Sequence, residues 1–499
     1  MHSLLLLCIT FYVIYKYLTR NFDYWEQKNV PYIRPKPFFG NICEVFFFRK
    51  QFAVQIAELY HQIQDRMVGI FILNQPFLIV KDPEIIKHVL VKDFDIFRNR
   101  SIYSNENIDS LSANFMFFAE ANKWKILRTK ASPIFTSGKL KNMYGTVGSI
   151  VKKFVNYLTE ETVKTPILDA REVCARYSMD VVATTNFGVD AACLKDKNAD
   201  FYLIGRRMFD FSYENTIRQA AYFVAPFFIK FAKLQTFDRH VYNYIKHLTT
   251  SQINFREEND NYRNGDIIDI LVEFKRRKVI NDMIFENNFL FGQVGQVFFA
   301  GFEPLTVALS FGLYELALNP EIQNRIKTEI ISALQEHEKI DYEVTRNGLP
   351  YLDQVIKEVL RKYPPLSLLD RKCSTIYKIP NSDVIIEPGT PVYISVYGLH
   401  HDEKYFPNPE KFIPERFSKE NERNISDYFY LPFGNGPRNC IGKRYSIIVL
   451  KLALVEILSE FEIKTCINTP LKIEYSPKSL TLVPNKNLYL KFKKSAIHF

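Results

Sequence analysis

The segment FGNGPRNCIG at residues 433–442 constrains this chain more than any other stretch of it. Gly434 and Gly436 permit close backbone turns, Pro437 restricts the approach, and Cys440 is delivered just before a helix that carries Lys443 and Arg444. Backbone donors beyond Cys440 and the start of that helix favour a thiolate. One sulfur presented in this way suits ligation of a large cofactor, whereas a zinc or iron–sulfur site asks for several ligands. A purely structural loop carries the same pattern, so the rest of the chain has to decide.

With 47% of its 499 residues hydrophobic and 24% charged, the chain can build an extensive core, which excludes a stapled mini-protein and general disorder. Its 43 Phe and 29 Tyr predict a large aromatic interior. Seven cysteines, odd in number and irregularly spaced, argue for mostly free thiols in a reducing compartment. Cys8, Cys43, Cys174, Cys193, Cys373 and Cys466 lack the flanking pattern of Cys440 and read as packing thiols. The nine histidines include no HExxH pattern, and His400 and His401 read as structural or surface residues. A net charge of +10 suits an acidic protein or an anionic membrane surface, and the dispersal of Lys and Arg argues against a nucleic-acid partner.

Residues 1–18, MHSLLLLCITFYVIYKYL, form a short apolar run ending in Lys16. As a helix the run reaches about 27 Å, just under the hydrocarbon thickness, with Lys16 able to snorkel. A membrane anchor is the expectation. A cleaved signal peptide is the rival, but TRNFDYWEQKNV lacks a clear small-x-small cleavage pattern. Pro31, Pro35 and Pro37 make residues 19–40 a proline-rich linker and approach segment, and residues 41–499 show no lasting composition shift, so they read as one domain.

Two short strands are expected around Gln75–Pro76, followed by a helix opening near Asp82–Pro83. Residues 119–135 and 140–163 read as helical, and REENDNYRNGD at 256–266 as an exposed loop. Towards the carboxyl end come a helix around Tyr351–Tyr363, strands at Val384–Ile386 and Val392–Val396, a helix over Lys443–Leu458, and a closing strand in KNLYLKFK. The expected fold is mainly α with small β-sheets.

Three further constellations accompany the cysteine loop. EVLR places Glu358 and Arg361 on one helical face, PERF supplies Arg416, and WKILR sets Trp124 and Arg128 four residues apart. Each alone is also a pattern of ordinary surface residues. Together with HHDEKYFPNPEKFIPERF at 400–417, they resemble cytochrome P450 enzymes, with closest resemblance to insect microsomal P450s of the detoxification-associated clade.

The resemblance implies the cytochrome P450 fold behind an N-terminal transmembrane helix, with haem b held by the Cys440 thiolate as the iron ligand. It implies a buried Glu358, Arg361 and Arg416 network that supports folding. Trp124, Arg128, Arg371 and Arg438 would contact the haem propionates, with Arg100, beside Arg98, as an addition. It also implies electrons from NADPH through an NADPH–cytochrome P450 reductase, assistance from cytochrome b5, and contact with lipid at the endoplasmic reticulum membrane, catalytic domain facing the cytosol.

In FLFGQVGQVFFAGFEPLTVALSFGLYELAL, residues Phe289, Gly292, Gln293, Gln296, Ala300 and Glu303 recur with helical spacing. Small residues there would let a flat cofactor lie close, or would serve a tight helix crossing. By resemblance Ala300 and Gly301 lie beside the oxygen site and Glu303 in the proton-delivery region. Pro304 stands where the family usually has Thr. It has no hydroxyl or amide hydrogen and would release the Ala300 carbonyl, while Thr306 points to a different helical face.

Phe115, Phe117, Gln296, Phe299, Leu366, Leu369 and Leu480 fall in segments that resemble substrate-contacting regions, and core packing explains each equally well. The expected function is monooxygenation of apolar xenobiotics or lipophilic endogenous compounds. Pro304 keeps open a peroxide-rearranging or dehydrating enzyme, and a noncatalytic haem-binding ligand carrier is the third reading.

Overall fold

Helices dominate the chain, and a few of them position the site: α1 (His2–Thr19), α2 (Ala121–Ala131), α3 (Ser137–Lys164), α4 (Ala170–Val182), α5 (Asp200–Met208), α6 (Tyr213–Val224), α7 (Asn287–Leu318), α8 (Pro350–Lys362) and α9 (Lys443–Glu460). The computed structural model describes every residue except 1, 103–104, 225, 260–261, 263, 278, 281–282, 285 and 496–499. The main sheet comprises β1 (Met67–Ile72), β2 (Gln75–Val80), β3 (Leu368–Lys372) and β4 (Pro391–Ser395), in the order β1-β2-β4-β3. A mainly α architecture with small sheets is what the sequence predicts.

α7 is apolar on all sides and almost wholly buried, as a helix of that composition must be. It runs through the core formed with α3, α4, α8 and α9. The main sheet builds a second core, and the amino-terminal half of α7 a third with Phe115, Trp124 and Phe237. α1 has no buried residue, and its 18 residues are long and apolar enough to cross a membrane.

β1 and β2 pair antiparallel with Ile72 opposite Gln75, so the turn is Leu73–Asn74, not the expected Gln75–Pro76. Leu73 takes the left-handed conformation (φ 55°), and Pro76 falls near the start of its strand, where a missing N–H is tolerated. Asp82 caps the next helix through the amides of Glu84 and Ile85, as expected. The polar stretch 256–266 is exposed as expected at Glu258, Asn259, Tyr262 and Asn264, but its two ends turn inward. Arg256 and Asp266 are fully buried, paired at 2.7 Å, with Asp269 on the other guanidinium nitrogen at 2.6 Å. Arg256 and its two acids neutralise one another inside the fold.

The proline-rich approach segment is docked. Trp25 is fully buried with its Nε1 donating to the Ile70 carbonyl at 3.1 Å, and its ring lies where a Gly69 side chain would have to be. Gly69 donates to Pro31 and accepts from Ile33, so this segment covers the free edge of β1. All seven cysteines are free thiols.

Candidate functional site

Cys440 is held by a loop whose turns require glycine. Gly434 and Gly436 have φ of 67° and 74°, and a Cβ on Gly436 would stand 2.0 Å from the Leu90 carbonyl oxygen. The Cys440 amide donates to the Phe433 carbonyl at 2.9 Å, and Asn439 donates to Gly436, closing the loop directly before α9. The Cys440 side chain is exposed on its loop, yet the protein packed around it pushes the thiol upward. The Gly442 N–H, Arg128 and Lys443 oppose that push without overcoming it, so the expected backbone donor is present but does not by itself produce a thiolate. Metal coordination would complete the deprotonation.

Beside the loop, three buried guanidiniums gather near Asp370, and Arg100 alone pairs with its carboxylate. Arg100 donates to Asp370 at 2.7 Å, Arg371 to the Asp370 carbonyl at 2.8 Å, and Arg438 to the Ala119 carbonyl at 2.8 Å. The Arg438 guanidinium lies 4.7 Å from the centroid of the buried Trp124 ring. Burial, then the neighbouring Arg100, pulls Arg371 down to about 9, and burial with both other cations does the same to Arg438. The Nε atoms of all three arginines are buried without a hydrogen-bond partner among the described residues. Three cations around one carboxylate leave a positive excess that fits a group carrying two carboxylates, as haem does. Asp370, which organises this cluster, belongs to no motif, and only its place beside Arg371 could have signalled it.

Arg128 is tied to the cysteine loop. Its two nitrogens donate to the Asn439 carbonyl at 2.7 Å and to Asn439 Oδ1 at 2.6 Å, so the guanidinium braces the cysteine loop rather than joining the other arginines. α2 carries Trp124 and Arg128 one turn apart, which places one at the cation cluster and the other at the loop.

The loop rests on a polar network. Arg361 binds Glu358 through two hydrogen bonds, of 2.7 and 2.9 Å, and donates to the His400 and Pro409 carbonyls. Glu358 also accepts from the Ile413 amide and from Arg416 at 3.3 Å. Both Glu358 and Arg361 are fully buried. His400, expected as a structural or surface residue, is fully buried between Arg361 and Leu431: its Nδ1 is 3.0 Å from the Arg361 carbonyl and its Nε2 accepts from the Leu431 amide at 2.9 Å. It couples the network to the start of the cysteine loop.

α7 passes through this region with Pro304 inside the helix. Thr306 donates to the Phe302 carbonyl at 3.0 Å and does not take over from the missing Thr. Gly301 is a helix-crossing residue: a Cβ there would meet Val182 of α4 at 2.9 Å. Gly292 likewise meets Asn114, so both glycines serve close packing of α7 on its neighbours. Glu303 is buried and paired with Arg171 of α4. Both line a polar cavity of about 550 Å³ together with Arg206, Arg207 and Phe302.

The substrate-pocket candidates divide. Phe115 packs 6.3 Å from Phe299 and 6.0 Å from Phe237, and Gln296 accepts from the Phe117 amide at 2.9 Å, so four of the candidates meet in one aromatic wall. The Phe117 ring lies 3.9 Å from the Arg100 guanidinium, which joins that wall to the cation cluster. Leu369 is buried in the sheet core against Gly434, whereas Leu366 is exposed at 41%, outside any enclosed wall. Leu480 is half-buried, and its carbonyl accepts from Gln51. Among the described residues no cluster of three or more His, Cys, Asp or Glu is placed to hold a metal ion.

A family model described as cytochrome P450 matches residues 30–492. The chain is 40% identical to cytochrome P450 6k1 of Blattella germanica, over 99% of this chain and 97% of that protein. It is 36% identical to cytochrome P450 6j1 of the same organism, over 96% and 95%, and 34% identical to probable cytochrome P450 6w1 of Drosophila melanogaster, over 98% of each. A free cysteine on a glycine-ordered loop, a surplus of buried arginine beside it and these full-length likenesses agree: this chain belongs to the cytochrome P450 family and is a monooxygenase of that family.

Proposed function

We propose that the protein is a haem-thiolate monooxygenase that inserts one oxygen atom from O2 into apolar xenobiotics or lipophilic endogenous compounds. The convergence of Arg100, Arg371 and Arg438 beside the Cys440 loop carries this reading, because it supplies one sulfur ligand and a surplus of buried cations together. Cys440 ligates the iron, and Arg100, Arg371 and Arg438 take the propionates, with Trp124 holding Arg438 in place. Bound haem supplies the oxygen chemistry. The chain's own contribution is a water-poor aromatic wall from Phe115, Phe117 and Phe299, and a carboxyl at Glu303 that moves protons from the polar cavity.

Electrons come from NADPH through a membrane-bound reductase, with cytochrome b5 as an auxiliary donor. The bare apolar helix α1 supports anchoring at the endoplasmic reticulum membrane, with the catalytic body in the cytosol. Pro304 favours a second reading, rearrangement of an organic peroxide, since that chemistry needs no external electrons or delivered proton.

One reconstitution separates the readings. The full chain with reductase, NADPH and a panel of apolar compounds should form oxygenated products seen by mass spectrometry. Turnover of a lipid hydroperoxide without NADPH, and of nothing else, would favour the second reading. The reduced protein should give a carbon monoxide difference band near ~450 nm, and Cys440→Ala should abolish it.

A further inference from the structure

The segment that supplies the aromatic wall is tied to α6 by a buried polar clasp centred on Asp109. Asp109 Oδ1 accepts from the Leu111 and Ser112 amides at 3.2 and 3.0 Å. Its Oδ2 accepts from Ser112 Oγ at 2.6 Å, from the Thr236 amide at 2.7 Å and from the Tyr222 hydroxyl at 2.9 Å. Thr236 and Ser112 share a further hydrogen bond at 3.0 Å, and Asp109 is only 3% exposed. Residues more than a hundred positions apart therefore meet on one carboxyl group.

The clasp is interleaved with the wall. Phe115 follows Ser112, Phe237 follows Thr236, and the Phe118 ring lies 6.3 Å from that of Tyr222. Further along, the same segment is pinned by Gln296 at Phe117 and by Arg438 at Ala119. One end is thus fixed to the cation cluster and the middle to α7 through Gln293 at the Asn114 carbonyl, while the stretch facing α6 is held by Asp109. Apolar packing at that far end is thin: Ile102, Ala221, Tyr222 and Ile229 form a small cluster separate from the large cores. Where few apolar contacts close a region, its local opening costs little, and a buried polar network carries a large share of the closure.

We propose that Asp109 is a positioning residue that latches the Phe115–Phe118 wall to α6, and that release of this latch sets how readily bulky apolar molecules reach the site. This inference rests on the haem-site reading above. A small ligand passes without releasing the latch, and a large one requires it, so the latch determines size selectivity rather than the chemistry.

The test uses the full-length, haem-loaded protein and two iron-binding azoles, imidazole and the bulky clotrimazole, followed by stopped-flow absorbance. Tyr222→Phe removes one hydrogen bond of the clasp, and Asp109→Asn perturbs its centre. Clotrimazole association and dissociation should both speed up by about tenfold in Asp109→Asn and less in Tyr222→Phe, with imidazole rates unchanged. Amide exchange should rise over 105–118 and 213–236 while α8 keeps its protection. Clotrimazole rates equal to wild type in both variants, or an equal rise for both azoles, would overturn the latch. If Asp109→Asn does not load haem, Tyr222→Phe alone decides. A wild type that binds neither azole would instead overturn the haem-site reading.

Discussion

Glu303 of α7 and Arg171 of α4 pair across the helix crossing that Gly301 and Val182 make close. One Glu303 oxygen takes the guanidinium, and the other is buried with no hydrogen-bond partner among the described residues. The pair borders the polar cavity of about 550 Å³, one turn from the Ala300 carbonyl that Pro304 leaves without its helical donor. A carboxyl with a spare oxygen, set between a polar cavity and a broken helical bond, supports the proposed role of Glu303 in moving protons.

Glu303→Gln keeps the shape and removes the exchangeable carboxyl. Product formation should fall by about 10²-fold, the low end of what a positioned acid–base group contributes. Affinity for the same substrate should change little, and hydrogen peroxide release per NADPH should rise. Equal loss of binding and turnover would assign Glu303 to structure alone.

Pro304→Thr restores an N–H for the Ala300 carbonyl and adds a hydroxyl to α7. The expected result is a higher ratio of organic product to NADPH consumed, measured with peroxide and NADPH in the same samples. A lower ratio would mean that the native helix carries a specialised water or substrate-hydroxyl path. No change would remove Pro304 from any part in proton delivery.

Glu358 and Arg361 form a buried pair with further bonds to main-chain carbonyls and to Arg416. Removing one partner strands a buried charge, so Glu358→Ala should destabilise the protein by about 3–5 kcal/mol and lower the yield of haem-loaded protein. Denaturant titration and the carbon monoxide spectrum read both effects. A double substitution that loads haem normally would defeat the supporting role.

The parts of the site that sequence reading reached are those whose partners lie within a few residues. Cys440 with Gly434 and Gly436, and Glu358 with Arg361, are single turns of chain, and local geometry decides them. Spacing on α7 cannot tell which neighbour packs against Gly301, and the tertiary fold sets Val182 there. The tie from Arg128 to the cysteine loop is hidden for a similar reason, since Asn439 lies 311 residues away. Arg256, Asp266 and Asp109 sit in polar stretches whose composition signals solvent, yet each is buried by a pairing that only the tertiary fold creates.

Deletion of residues 2–19 removes an exposed apolar helix and no core contact. The shortened protein should become extractable at high pH without detergent while retaining its haem spectrum, because Trp25 and the segment on the β1 edge remain. Secretion of the intact chain as a soluble protein would contradict the anchor.

His400 should make stability fall in mild acid. Burial, then the Arg361 cation, holds its imidazole well below the ordinary value of 6.5, and Arg361 and Leu431 clasp the neutral ring from two sides. Above about pH 6.5 the ring is neutral in the folded and unfolded chain alike, so its full contribution is present. As pH falls further, the unfolded chain takes up a proton that the folded chain refuses, and stability is lost at up to about 1.4 kcal/mol per pH unit. His400→Gln keeps a donor and an acceptor but cannot titrate. Between about pH 7 and pH 5, the stability advantage of wild type over this variant should shrink by about 2 kcal/mol in denaturant titrations followed by the haem absorbance. A difference that stays constant across that window would show that the ring is protonated or exposed in the folded protein, and the tie from Arg361 to the cysteine loop would then have to run through other groups.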